Sequence, residues 1–216
     1  EADRFDLCFS FVTNGTIFRP DLIQKLSKFR RVGIEISIET LDEHNAYQRQ
    51  GTDTSKVLHN IEQYQKLCNG SSITVALRPA PSALTIGYYP ELLKYALDQK
   101  LVVKSNLCYD PAFLFAGILP QGVKDFYNKK YQSLLSELSS LQTHQDYNAS
   151  DPNNFKLIIK QQVELCMSVL ESPAPDNADQ LLKQLVDHCS KWDRVYNLNA
   201  RELYPEWQEF LDRYGY

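Results

Sequence analysis

The chain has 216 residues, of which 43% are hydrophobic and 23% are charged, and its formal net charge is −4. These values are typical of a globular protein with one good-sized core or two small ones, and the slight acidic excess argues against a broad nucleic-acid-binding face. No apolar run approaches the ~20 residues that span a bilayer, and no signal peptide opens the chain, so we expect no membrane partner.

The five cysteines are odd in number and scattered along the chain: Cys8, Cys68, Cys108, Cys166 and Cys189. This pattern is typical of buried thiols in a reducing compartment, so we expect a cytoplasmic protein rather than a disulfide scaffold. Neither the cysteines nor the four histidines show the close spacing of metal ligands, and the residues alone predict no metal site. The chain begins at Glu1 and its single methionine is Met167, so we expect a piece of a longer protein.

Four predicted strands alternate with helical patterns along the first two thirds of the chain. Alternating apolar and polar side chains predict the strands, which cover residues 5–12, 32–40, 73–78 and 102–109. Helical spacing of apolar residues follows each strand, with starts near Pro20, Asp53, Pro90 and Pro120. A polar loop is predicted over 41–53. Repeated strand–helix units predict an α/β fold with a parallel sheet and right-handed crossovers.

The composition changes after the fourth unit. Residues 143–154 are polar and rich in Asn and Asp, which predicts a linker. Only helices are predicted beyond it, at 155–170, at 178–196 and after Pro205. We therefore divide the chain into a strand–helix region, 1–142, and a C-terminal helical extension, 143–216.

Each predicted strand has one polar face, whereas strands covered by helices on both sides are apolar almost throughout. The polar sets are Asp6, Cys8 and Ser10; Glu35, Ser37 and Glu39; Thr74 and Arg78; and Lys104 and Asn106. Helices on one side and polar groups on the other predict a barrel or half-barrel with an open, ligand-bearing lumen. The alternative is that some charges simply pair across the lumen, as Glu35 would with Lys104.

Ligand sites of parallel βα barrels lie at the carboxyl ends of the strands. Here these ends are residues 13–15, 37–39, 78–79 and 106–109. Glu35 and Glu39 are four residues apart on one strand, about 13 Å, which exceeds the ~5 to 9.5 Å between the two carboxyl groups of glycosidases. No nucleophile elbow, P-loop or dinucleotide-binding glycine motif is present.

An ordered series of short motifs resembles radical S-adenosylmethionine (radical SAM) enzymes. Phe11-Val12-Thr13-Asn14-Gly15-Thr16 resembles the third strand of that family, and Glu35-Ile36-Ser37-Ile38-Glu39 resembles the fourth. The match continues at 47–51, 57–61, 90–93, 109–111 and 119–120. The tail, at 192–194 and 203–206, resembles the close of the branch with a twitch domain. The resemblance covers nearly the whole chain, and its specificity lies in the order and spacing of the motifs.

The resemblance implies a partial (β/α)6 TIM-like barrel of about four βα units. Radical SAM enzymes hold a 4Fe-4S cluster through a Cys-x3-Cys-x2-Cys motif, and its open iron chelates S-adenosylmethionine. Cleavage of the cofactor gives a 5′-deoxyadenosyl radical, which abstracts hydrogen from a small-molecule or peptide substrate; a reductant protein would be a further partner. The cysteine motif is absent from this chain. That absence implies either an N-terminally truncated fragment or a degenerate, cluster-free relative that only binds or interacts.

The resemblance also assigns cofactor-binding roles by position. Ser37 and Glu39 would hold the ribose or the amino-acid part of S-adenosylmethionine, and Asn14 would lie near the adenosine. Arg78 would hold a carboxylate, and Asn106 would face adenine or substrate.

Arg49 and Tyr109 are the predicted substrate contacts. Each assignment has a structural alternative. Ser37 and Glu39 could be a buried polar pair, Asn14 an Asx turn, Arg78 a salt-bridge partner of Glu39, and Arg49 a solvated charge.

Overall fold

The computed structural model describes residues 5–140 and 154–216. Four parallel strands form one sheet in the order β1-β2-β3-β4. They are β1 (Cys8–Thr13), β2 (Arg31–Ile36), β3 (Ile73–Leu77) and β4 (Val102–Val103). The predicted mixed α/β class and the parallel sheet are confirmed.

Helices connect consecutive strands and then continue beyond the sheet. The helices between strands are α1 (Pro20–Leu26), α2 (Glu43–Gln48), α3 (Thr54–Cys68) and α4 (Tyr89–Asp98). Those after β4 are α5 (Gln121–Ser140), α6 (Phe155–Glu171), α7 (Ala178–Tyr196), α8 (Ala200–Leu203) and α9 (Gln208–Arg213). Short 3₁₀ turns lie at Ala112–Leu114, Ala116–Ile118 and Pro205–Trp207. None of the helices in the described part of the chain combines the length and hydrophobicity that crossing a bilayer requires.

Helix α2 lies in the segment predicted as a loop over 41–53, and that prediction is wrong at this point. The Asp42 side chain caps the helix by accepting a 3.1 Å hydrogen bond from the His44 amide. The helix has only six residues, too few for an apolar period to emerge from the sequence. Its cap was therefore the only local signal.

Strand β4 is much shorter than the predicted 102–109, and two prolines in the neighbouring chain explain why. Backbone hydrogen bonds do continue past the strand, from the amides of Lys104, Asn106 and Cys108 to the carbonyls of Leu77, Pro79 and Pro81. In a parallel ladder, residues 79 and 81 would donate back to the β4 side. Proline has no N–H, so the segment after β4 is held by bonds in one direction only.

One face of the sheet is buried beneath the helices. Its buried apolar residues include Val32, Ile34, Ile36, Ile73 and Leu77. Val57 and Ile61 of α3 and Leu92 and Leu93 of α4 belong to the same core. This is the apolar side that the period-two alternation predicts.

The opposite face of the sheet, which we call the polar face, carries the alternate side chains. In register across the strands, one row holds Ser10, Gly33 and Thr74, and the next holds Val12, Glu35, Ala76 and Val102. Arg78 and Lys104 follow just beyond β3 and β4. Ser10, Thr74 and Lys104 are exposed, so this face is open to solvent over much of its area.

The C-terminal helices cover the β4 side of the sheet. Helix α6 packs against β4 and α4, and α5 packs against α6. Buried apolar residues from both predicted regions form one continuous core, which includes Tyr127 and Tyr131 of α5, Leu185 of α7 and Trp207. The predicted linker, 143–154, lies outside the described residues except for Asn154, whose side chain caps α6.

Candidate functional site

Glu35 and two cations form a charged cluster on the polar face. The Glu35 side chain is buried, and its Oε1 and Oε2 accept hydrogen bonds from Lys104 Nζ at 2.6 Å and from Arg78 Nη1 at 2.8 Å. The hydrogen bond from Lys104, supported by the charges of both cations, outweighs burial and lowers the pKa of Glu35. Two cations beside one carboxylate leave the cluster with a net positive charge.

Arg78 also reaches Asn106, which follows β4. With the amide oxygen of Asn106 turned toward the guanidinium, Oδ1 lies 2.9 Å from Arg78 Nη2. The predicted cofactor residues Arg78 and Asn106 therefore lie together, beside Glu35. Arg78 pairs with Glu35 rather than with Glu39, the partner that the structural alternative gave it.

Glu39 is the centre of a second network, just beyond the end of β2. It is fully buried, and its carboxylate receives a bidentate pair from Arg49, through Nε and through Nη2 at 2.8 Å, and a 3.2 Å hydrogen bond from the Ala80 amide. The hydrogen bond that Arg49 donates to Glu39 raises the pKa of Arg49 against the effect of burial. Two predicted site residues, Glu39 and Arg49, are thus each other's partners.

Asn45 of α2 holds the backbone of Glu39. Its Oδ1 accepts from the Glu39 amide at 2.9 Å, and its Nδ2 donates to Thr54 Oγ1 at 3.2 Å. The Glu39 amide is thereby bonded to a side chain instead of a neighbouring strand, which explains why β2 ends at Ile36 and not at Thr40. The sequence gives no hint of this role, because Asn45 lies in a segment that was predicted as a loop.

Ser37 lies between the two networks. Its amide donates to the Thr13 carbonyl at 2.9 Å, and the residue is half-buried. Within 5–140 and 154–216 its hydroxyl makes no hydrogen bond. The Ser37 hydroxyl is therefore free to bind a ligand.

Asn14 forms the local turn that its structural alternative describes. Its Oδ1 accepts from the amide and the hydroxyl of Thr16, at 3.2 and 2.9 Å, and the residue is exposed. The following Gly15 has a φ of +71° and is buried, and its carbonyl accepts a 2.8 Å hydrogen bond from Asn60 of α3. The turn is thus fixed by α3, and Asn14 presents its amide nitrogen to solvent.

Tyr109 lies beyond the end of β4 and is 61% exposed. Its ring stacks on Phe115, with centroids 5.1 Å apart. The phenol is open to solvent, so a substrate could reach it, but its packing partner is the 3₁₀ segment and not the charged cluster.

The described cysteines do not fit an iron–sulfur cluster. No three His, Cys, Asp or Glu side chains in the described ranges are arranged to hold a metal ion. Cys166 and Cys189 are buried, and burial raises the pKa of each thiol to about 12, which disfavours the thiolate that ligates iron. Cys8 is exposed on β1, apart from the others.

A separate cleft of about 690 Å³ lies between α2 and the start of the C-terminal tail. Its lining includes Glu43 and Gln50 on one side and Asn197, Asn199 and Glu202 on the other. None of the predicted cofactor-binding or substrate-binding residues lines it. The described residues therefore offer this cleft as a place for a ligand in addition to the polar face.

No protein-family model, curated protein or solved structure gives a significant match to this chain. Inference about function therefore rests on the site geometry and on the sequence motifs.

Proposed function

We propose that this chain is the cofactor- and substrate-side portion of a cytoplasmic radical S-adenosylmethionine enzyme. One observation carries the proposal: Ser37, Arg78 and Asn106, together with Glu35 and Lys104, gather on the polar face near the carboxyl ends of three consecutive parallel strands. Parallel βα barrels bind their ligands at that end.

The partial (β/α)6 barrel is part of the same proposal, and the free edge of β1 supports it. The carbonyl of Thr13 points toward β2, where it accepts from the Ser37 amide. Backbone groups alternate in direction along a strand, so those of Cys8, Ser10 and Val12 point to the opposite side. Within the described residues they have no partner. Further strands of a barrel would bond to this edge.

The chemistry of the polar face suits parts of S-adenosylmethionine. A carboxylate would bind the net positive pair of Arg78 and Lys104, and a ribose hydroxyl would bind the free hydroxyl of Ser37. Asn106 can offer both a donor and an acceptor to adenine or to substrate. Glu39, which is buried and paired, would act by orienting Arg49 rather than by touching the cofactor. Arg49 and Tyr109 stay the proposed substrate contacts.

The 4Fe-4S cluster would supply the electron that cleaves the cofactor. The described cysteines do not fit it, so the proposal requires its ligands to come from a part of the polypeptide outside this chain. What residues 1–216 contribute is binding and orientation: cations for an anionic group, a hydroxyl and an amide for directional hydrogen bonds, and a preformed scaffold for both.

Nuclear magnetic resonance (NMR) titration of the 216-residue chain with S-adenosylhomocysteine, the stable analogue of the cofactor, tests the proposal. We expect amide shifts at 35–39, 78–80 and 104–106. Ser37→Ala should weaken binding about fivefold, the equivalent of one hydrogen bond of ~1 kcal/mol. Ser10→Ala is the matched control, since it makes the same change on the same face, in the row with Gly33 and away from the carboxyl ends of the strands. Shifts confined to the cleft at 43–51 and 197–203, or none at millimolar ligand, would contradict the proposal.

The longer coding sequence separates this function from a second candidate. That candidate is a cluster-free α/β binding protein, and the chemistry of the described cysteines favours it, because burial raises the pKa of Cys166 and Cys189 and disfavours the thiolates that ligate iron. A Cys-x3-Cys-x2-Cys motif upstream, with iron and sulfide in the full protein and anaerobic formation of 5′-deoxyadenosine, would support the radical enzyme. A start codon within a few residues and no cysteine triad would support the binding protein instead.

A further inference from the structure

His44 joins the carboxyl end of the sheet to the C-terminal helices. It lies on α2 and is buried, and both of its ring nitrogens have partners. Nδ1 lies 2.9 Å from Asp42 Oδ1, and Nε2 lies 3.0 Å from the backbone carbonyl of Leu203, the last residue of α8. One imidazole thus spans two segments that are 159 positions apart in the sequence.

Both partners can only accept hydrogen bonds. The Leu203 carbonyl has no proton to give. Burial raises the pKa of Asp42, but the hydrogen bonds from His44 and Thr40 outweigh it, so that pKa is lowered and the group stays a carboxylate. A neutral imidazole has one N–H and would turn a lone pair toward one of these oxygens. Only the doubly protonated ring donates to both.

The surroundings of the ring also suit a cation. His44 stacks on Tyr88 with centroids 3.3 Å apart and meets the edge of Tyr204 at 5.1 Å, and aromatic faces attract cations. The Tyr88 hydroxyl donates to Glu206 at 3.0 Å, which brings a second carboxylate nearby. Lys130, whose Nζ lies 4.4 Å from the centroid of Tyr88, is the opposing charge on this side.

We propose that His44 is held as an imidazolium and acts as a proton-dependent latch between α2 and α8. The latch also positions the site, because Asn45 and Arg49, on and just after the same helix, hold Glu39. Loss of one ring proton removes one of the two hydrogen bonds. Docking of α8 and the placement of Arg49 then weaken together. This inference does not depend on S-adenosylmethionine being the ligand.

The protonation state can be read directly on the 216-residue chain. Long-range nitrogen–proton NMR correlations count the protons on each histidine ring. We expect both His44 nitrogens to carry protons at pH 7.5, above the pKa of about 6.5 that is usual for a free histidine side chain. A single ring proton on His44 over the whole range from pH 6 to 9 would overturn the proposal, whatever any variant does.

Hydrogen exchange then tests the latch, after correction for the intrinsic pH dependence of exchange. The reporters are the amides of Tyr204 and Trp207, which bond within the tail, and of Glu39, which bonds to Asn45. In the wild type their protection should fall about tenfold between pH 6 and 9, as expected for one charge-assisted hydrogen bond.

His44→Gln should lower this protection at pH 6 and remove its pH dependence, and His59→Gln should behave as the wild type. Equal pH dependence in the wild type and His44→Gln would overturn the proposal. If His44→Gln fails to fold, the proton count in the wild type decides alone.

Discussion

The two edges of the sheet are built differently. At the β4 edge, α6 packs on the strand and Val103 is 3% exposed. At the β1 edge, Phe9 is 39% exposed and Val12 is 57% exposed, and the outward backbone groups lack partners among the described residues. One edge is covered by the chain itself, whereas the other is open among the described residues.

The β4 edge and the C-terminal helices therefore contribute most of the packing, whereas the β1 edge contributes little. The polar face lies between the two edges, and its charged residues belong to the strands nearer the β4 edge. Substitutions along the sheet should therefore have effects that decline from the C-terminal helices toward β1.

The largest expected effect is at Trp207. It is fully buried, stacks on Tyr204 with centroids 4.1 Å apart, and donates from Nε1 to Tyr127 Oη at 2.9 Å. Trp207→Ala should lower the free energy of unfolding by about 3 to 5 kcal/mol. Val12→Ala at the open edge should change it by less than ~0.5 kcal/mol. Denaturant unfolding measures both, and similar losses in the two variants would refute the contrast between the edges.

The buried pair at the carboxyl end of β2 should come next. Glu39→Ala leaves the Arg49 guanidinium and the Ala80 amide without their acceptor, so we expect a loss of about 3 kcal/mol in the free energy of unfolding. Glu137→Ala removes the exposed pair with Lys94 and should cost at most ~1 kcal/mol. Urea titrations of the two variants check this ranking, which fails if the exposed pair costs as much.

Glu35 should make part of the stability depend on pH. Its folded-state pKa is lowered, chiefly by the hydrogen bond from Lys104. The contribution is therefore present above the unfolded pKa of about 4.3 and is lost as the pH falls through the folded value. The difference in free energy of unfolding between the wild type and Glu35→Gln should be constant from pH 7 to 5 and shrink below about pH 4. A difference that stays constant down to pH 3 would rule out this linkage.

The smallest effect on stability, and the clearest effect on association, should come from β1. Val12→Lys places a charge on an edge whose backbone is free, so association at high protein concentration should decrease while the free energy of unfolding changes by less than ~0.5 kcal/mol. Leu165→Lys changes a comparably exposed apolar residue on α6 and is the control. Light scattering measures the association, and an equal decrease in both variants would show that the β1 edge is not the surface through which the chains associate.

Local patterns in the sequence were enough for much of the fold. The alternation through Val32 and Ile36 predicts which side of β2 is buried, and the helix bounds at Ala178 and Tyr196 follow from apolar spacing. The same alternation groups Glu35 with Ser37. These features depend on neighbours within a few residues of one another, where periodicity is informative.

The missed features depend on contacts between distant segments. The length of β4 is limited by Pro79 and Pro81, more than 20 residues earlier in the sequence. The choice of Glu35 over Glu39 as the partner of Arg78 follows from strand register, which alternation alone does not fix between strands. The hydrogen bond between His44 and the Leu203 carbonyl depends on the C-terminal segment lying next to α2, although the two residues are 159 positions apart in the sequence. Residue types indicated the polar face and allowed the pair of Glu35 and Lys104, which the structure confirms. The partner of Arg78 required the three-dimensional structure.

The prolines opposite the end of β4 have a mechanical consequence. After Val103, the segments 77–81 and 104–108 meet at a boundary with one backbone hydrogen bond for every two residues, whereas a full parallel ladder has two. Separating the two segments there breaks half as many backbone hydrogen bonds per residue as separating two strands of a full parallel ladder. Arg78 and Asn106 lie on opposite sides of this boundary, where the Asn106 amide donates to the Pro79 carbonyl and the two side chains meet. A ligand that separated the two segments here would break fewer backbone hydrogen bonds than at a fully paired part of the sheet, and it would lie beside the charged cluster of Glu35, Arg78 and Lys104.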